Sequence, residues 1–148
     1  MKKPSQYEAR LGAGKFQWNA GAWFGAQLGS TSWMLTTAFM CFAESPLVAS
    51  IFLASFLLTN QLGWMLWCAR IRICPYTALQ SFVGLSACIS CVSLVAAWQI
   101  CQFTGAEIRG IHSGPRTFLL IPVLYGGLSV LFAIIQHTSS RPRLPSKG

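Results

Sequence analysis

The chain has 148 residues, of which 53% are apolar and only 9% are Lys, Arg, Asp or Glu. A typical soluble domain carries about 25% charged residues. The acidic residues are three glutamates, and there is no aspartate. This composition excludes a soluble globular enzyme, a disordered tail and a multidomain protein, and it indicates a membrane protein of one domain.

Four apolar runs follow one another along the chain, at about 19–43, 47–69, 77–101 and 118–137. Each run is free of charged residues and reaches the roughly 20 residues that a membrane-spanning helix needs. Strands of a membrane barrel are about 10 residues long and alternate in hydropathy, unlike these runs. We therefore predict an all-α integral membrane protein, a four-helix transmembrane bundle over 19–137, with basic tails at 1–18 and 138–148.

The basic residues predict the orientation of this bundle. Nine of the 11 Lys and Arg residues lie in the N-terminal tail, the second turn and the C-terminal tail. The other two, Arg109 and Arg116, lie in the longer loop that precedes the fourth run. Because cytoplasmic segments are enriched in Lys and Arg, both termini are predicted to be cytoplasmic, in a cell membrane that would be the inner one in a bacterium. The expected surface partner is anionic lipid headgroups rather than nucleic acid.

Small residues mark the helix surfaces on which close packing is expected, since helices in lipid associate through small side chains. The strongest pattern is G-x-x-x-G-x-x-x-G in the first helix. Two interpretations are open: packing inside the bundle, which we favour, and a homodimer interface. A homo-oligomer or a larger membrane complex is expected in either case. The helix-packing glycines are Gly21, Gly25, Gly29, Gly84, Gly126 and Gly127.

An uncharged polar layer crosses the predicted bundle. At 1.5 Å of rise per residue, five polar residues fall at similar depth on the cytoplasmic side of the midplane. Amides buried in lipid need hydrogen-bond partners. We favour hydrogen bonds between helices, and the alternative is a binding site or a polar pathway for a neutral solute. The five residues are Gln27, Asn60, Gln61, Ser86 and Ser129.

The cysteines suggest two further interpretations. Cys41 and Cys101, at the outer ends of the first and third helices, could form a disulfide in an oxidising compartment, and two free thiols are the favoured alternative. Cys88 and Cys91 form a C-x-x-C that resembles the motif of quinone-coupled disulfide-forming enzymes. That resemblance implies redox chemistry, but the centre of a membrane helix disfavours the thiolate such chemistry needs. No cofactor or metal site is expected.

The sequence shows no catalytic constellation. In size and helix number the chain is similar to the small multidrug transporters, but it lacks the membrane-embedded glutamate on which they depend, so drug–proton antiport is not expected. The leading hypothesis is a non-enzymatic membrane subunit, or an accessory or assembly factor, that acts through helix packing. The alternatives are a small oligomeric transporter or channel for a neutral or weakly polar solute, and a quinone- or thiol-linked redox protein.

Overall fold

The computed structural model describes residues 16–105 and 115–139. These residues form four helices and no strand, so the all-α prediction is confirmed, and each helix overlaps one of the predicted apolar runs, with ends that differ by one to three residues. Most of both basic tails and residues 106–114 of the loop lie outside the described residues. The helices are α1 (Ala20–Cys41), α2 (Pro46–Cys68), α3 (Pro75–Thr104) and α4 (Pro115–Ser139).

Local sequence explains where the helices begin and end. The Asn19 side chain accepts a hydrogen bond from the Ala22 amide at 3.1 Å and caps the start of α1. Ser45 caps α2 in the same way, and prolines occupy the first turns of α2 and α3, where no helical N–H is lost. At the end of α3, Gly105 has a φ of 69°, a left-handed conformation that glycine adopts without steric cost.

Helices that are adjacent in sequence pack side by side, as the short turns between the first three require. Two apolar clusters lie toward opposite ends of the molecule. One cluster joins Trp23 of α1 to Ala78 and Phe82 of α3. The other lies between the C-terminal half of α1, the N-terminal half of α2 and the C-terminal half of α3, and consists of Ala38, Cys41, Val48, Ala49, Phe52, Leu94, Ala97 and Cys101.

The helices differ in hydropathy. Among the described residues, α2 and α3 are long and apolar enough to cross a membrane, and α4 contains a shorter apolar stretch, Pro122–Thr138. The exposed surface of α2 and α4 carries large apolar side chains such as Leu57, Leu58, Leu124 and Leu131. Soluble monomers rarely expose apolar surface on this scale. Helix α1 is less apolar, because Gly, Ser, Thr and a glutamine interrupt its sequence.

Replacement of Phe52 by alanine tests the packing of the larger cluster. Phe52 is fully buried in it, at 0% exposure, so Phe52→Ala removes most of a packed side chain. We expect a loss of about 3 kcal/mol in the free energy of unfolding, measured in mixed detergent micelles. The matched control is Phe39→Ala, because Phe39 is 74% exposed on α1. Equal losses in the two variants would contradict the described packing.

Candidate functional site

Eight uncharged polar residues face the interior between α1, α2 and α3, and we call them the polar seam. Seven are buried and the eighth, Asn60, is half-buried. Serine, threonine and carboxamide groups are the ones that join helices in a membrane by hydrogen bonds. The members of the seam are Gln27, Thr31, Ser55, Thr59, Asn60, Ser86, Ser90 and Ser93.

Two carboxamides join α1 to α2 at the centre of the seam. The Nε2 group of Gln27 donates to the main-chain carbonyl of Asn60 at 2.8 Å and to its side-chain oxygen at 3.0 Å. Asn60 Nδ2 donates to Thr31 Oγ1 at 3.1 Å and to the Phe56 carbonyl at 2.8 Å. Because both main-chain carbonyls can only accept, they determine which end of each amide is nitrogen.

Gly63 of α2 provides the space that Gln27 occupies. A Cβ atom at position 63 would lie 2.5 Å from both Cδ and Oε1 of Gln27, which is closer than atoms can approach. The indole N–H of Trp23 also donates to the Gly63 carbonyl, at 3.1 Å. The absence of a side chain at Gly63 therefore leaves room for the Gln27 carboxamide between α1 and α2.

Hydrogen bonds extend from this centre to the other helices. The hydroxyls of Ser55 and Ser93 are 2.6 Å apart and join α2 to α3. Gln80 of α3 donates to the main-chain carbonyl of Ser129 on α4 at 2.9 Å. The Tyr125 hydroxyl of α4 donates to the Ser30 carbonyl of α1 at 3.0 Å, so each helix is linked to two others or more.

Two buried atoms of the seam, Gln27 Oε1 and Ser86 Oγ, have no hydrogen-bond partner among the described residues. The other seam hydroxyls bond within their own helices, as Thr31 does to the Gln27 carbonyl at 2.9 Å. An unsatisfied buried acceptor costs about 1–3 kcal/mol. Gln27 tolerates this cost because its Nε2 group makes two bonds to Asn60.

The predicted polar layer is only partly assembled. Gln27 and Asn60 meet, and Ser86 faces the same interior, but Gln61 is exposed and Ser129 contributes its carbonyl rather than its hydroxyl. Sequence reasoning missed several participants, including Gly63. A lone glycine inside an apolar helix costs about 1 kcal/mol relative to alanine, and this was the signal that could have identified Gly63. The other missed participants are Thr31, Ser55, Thr59, Gln80 and Tyr125.

The predicted packing glycines have a different environment from Gly63. Apart from the adjacent residues and the nearby backbone of the same helix, no described atom lies within 4 Å of the place where a Cβ would stand on five of them. At Gly21 the nearest such atom, at 3.4 Å, is the capping oxygen of Asn19. None of the described residues packs closely against the five glycines, so their role in helix packing stays a prediction. The five open positions are Gly25, Gly29, Gly84, Gly126 and Gly127.

The two cysteines considered for a disulfide lie in the same part of the structure. Cys41 and Cys101 are buried in the same apolar cluster, and both are free thiols in this structure. The disulfide between them stays a prediction.

The C-x-x-C cysteines lie within α3. Cys88 is exposed and Cys91 is half-buried, and neither is at a helix N-terminus, where thiolates are stabilised. Among the described residues no group of three metal-ligating side chains occurs.

No protein-family model matches the chain, and no curated protein or solved structure matches it significantly. The functional proposal therefore depends on the geometry of the described residues alone.

Replacement of Gly63 by alanine tests the contact at the centre of the seam. The added Cβ collides with the Gln27 carboxamide, so we expect a loss of about 1–3 kcal/mol in stability in detergent micelles. In a Gln27→Ala background the same change should cost much less, because the colliding group is gone. Gly84→Ala is the control, since its Cβ meets open space. A cost at position 63 that does not depend on Gln27 would show that the contact is wrong.

Proposed function

We propose that this protein is a multi-pass membrane subunit, a four-helix transmembrane bundle with both termini in the cytoplasm, which acts without catalysis by packing its α1 helix against another membrane helix. The observation that carries the proposal is the open glycine face of α1. The distribution of basic residues supports the orientation, and the apolar surface of α2, α3 and α4 supports the membrane location.

The glycine face lies opposite the side of α1 that packs in the bundle. Gly25 is two residues from both Trp23 and Gln27, or about 200° around the helix from each. Trp23 and Gln27 are buried, whereas Gly25 and Gly29 are exposed with open space at their Cβ positions. The same helix therefore has one face used within the chain and one face free.

This free face is also unlike the exposed surface of the other helices. Its next two turns carry Ser32 and Thr36, whose hydroxyls bond back to the Gly29 and Ser32 carbonyls at 3.3 and 3.1 Å. The result is a narrow stripe of small residues, bordered by the exposed Leu28, on which the Ser32 and Thr36 hydroxyls are already bonded. Lipid gains little from contacting such a surface, whereas another helix can approach its backbone closely.

The partner that we propose is a second copy of this chain. A glycine stripe can cross its own copy about a twofold axis, so that one surface serves both subunits. No charged residue lies on the stripe to oppose this pairing. A different membrane protein is the alternative occupant, and it corresponds to the assembly-factor form of the same proposal.

Transport of a neutral solute is the second candidate, and the uncharged polar seam favours it. Two buried acceptors of the seam have no described partner. However, the carboxamides that would line such a path are engaged with each other and with backbone carbonyls. The seam therefore supports cohesion of the bundle more directly than passage of a solute.

Substitution of Gly25 by leucine tests the proposed function. The added side chain stands on the open face and prevents close approach of a second helix. We expect the dimer in lipid bilayers to dissociate about tenfold more readily, which corresponds to about 1.4 kcal/mol. The measurement is energy transfer between labelled copies as a function of the protein-to-lipid ratio.

The matched control for this test is Ala54→Leu, which adds a side chain of the same type to an exposed position of α2. It should leave the dimer unchanged. A wild-type chain that stays monomeric and co-purifies with no other membrane protein would contradict the proposal. If Gly25→Leu instead releases a different protein, the partner is that protein rather than a second copy.

A further inference from the structure

An apolar cleft of about 230 Å³ opens between the N-terminal ends of α1 and α3 and the C-terminal half of α4. Phe132 of α4 forms its far side, and the ring of Phe16 contacts Phe132 edge-on at 5.7 Å. Only two of its lining residues, Gln17 and Asn19, are polar, and the Asn19 side chain is occupied in capping α1.

The two indoles in the cleft direct their polar groups away from it. The Trp18 N–H donates to the Ile73 carbonyl at 3.3 Å, and the Trp23 N–H donates to the Gly63 carbonyl at 3.1 Å. What remains on the cleft wall is the hydrocarbon surface of the rings. Such a wall suits a hydrocarbon chain rather than a polar solute.

Among the described residues, the charged side chains at this end of the bundle are arginines. The guanidinium of Arg70 lies 4.9 Å from the ring centre of Trp67, and Trp67 contacts Trp18 of the cleft at 5.6 Å. Arg72 belongs to the same turn and is exposed. Glu44, the one acidic residue in the described ranges, lies in the turn between α1 and α2, at the other end of the bundle.

We propose that this cleft binds an acyl chain of an anionic phospholipid, with the headgroup near Arg70. The inference rests on the membrane location given under the proposed function. An acyl chain in the cleft contacts apolar side chains, as it does in the bilayer interior, and exposes no polar group to hydrocarbon. The positive Arg70 side chain selects the negative headgroup. The cleft borders the glycine face of α1, because Ala22 is three residues from Gly25 and Ala26 is three residues from Gly29, about 60° around the helix in each case. Gly25 and Gly29 themselves do not line the cleft.

Retention of lipid by the full chain tests this site. The protein is extracted in mild detergent, given equal amounts of an anionic and a zwitterionic phospholipid with identical acyl chains, and examined by native mass spectrometry. We expect one anionic phospholipid per chain. Ala22→Leu fills the cleft and should reduce the retained fraction about tenfold, whereas Ala54→Leu on the exposed side of α2 should not change it.

A second variant addresses the headgroup. Arg70→Gln should abolish the preference for the anionic lipid while total retention persists. Leu79→Trp fills the cleft from α3 and provides an independent variant in case Ala22→Leu does not fold. Retention that is the same in wild type, Ala22→Leu and Leu79→Trp, or a headgroup preference that survives Arg70→Gln, would overturn the proposal.

Failure of this inference can be told apart from failure of the proposed function. A chain that alkaline washing removes from membranes refutes the membrane location and therefore both proposals. If the chain stays in membranes and dimerises, but Ala22→Leu and Leu79→Trp leave its lipid retention unchanged, only the lipid site is refuted. Gly25→Leu should weaken the dimer and leave lipid retention as it is.

Discussion

The contact of the Gln27 carboxamide with Gly63 and Asn60 is the constraint on which the rest of the arrangement depends. A glutamine in a low-dielectric interior needs partners, and α2 supplies two acceptors for its amide nitrogen beside a position without a side chain. This contact determines the rotation of α1 about its axis. Once Gln27 faces α2, the buried residues one turn on either side, Trp23 and Thr31, face the bundle as well.

The same rotation determines what α1 presents outward. Residues about half a turn from Gln27 must point away from the bundle, and they include Gly25 and Gly29. The inner face of α1 therefore supports cohesion within the chain, while the outer face is small and uncharged. Polar pairing inside the bundle and the proposed association between chains would then depend on the same orientation of α1.

The four helices could be predicted because charge-free apolar runs of sufficient length leave few alternatives. The end of α3 was predicted three residues early, since Gln102 and Thr104 interrupt hydropathy without breaking the helix, which Gly105 ends. The depth of Gln27 and Asn60 followed from the rise per residue, but their pairing depends on helix rotation, which a linear pattern does not determine. Gly63 was missed because a lone glycine forms no periodic pattern.

The most direct test of the account is a distance measured between two copies in lipid bilayers. A spin-labelled non-natural amino acid in place of Leu28, a large exposed side chain beside the glycine face of α1, leaves Gly25 and Gly29 uncovered and avoids competition from the six cysteines. Packed helix axes lie about 8–10 Å apart, so the proposed dimer predicts strong dipolar coupling between labels at position 28 and weaker coupling at position 54 of α2. Coupling at position 54 but not at 28 would contradict it.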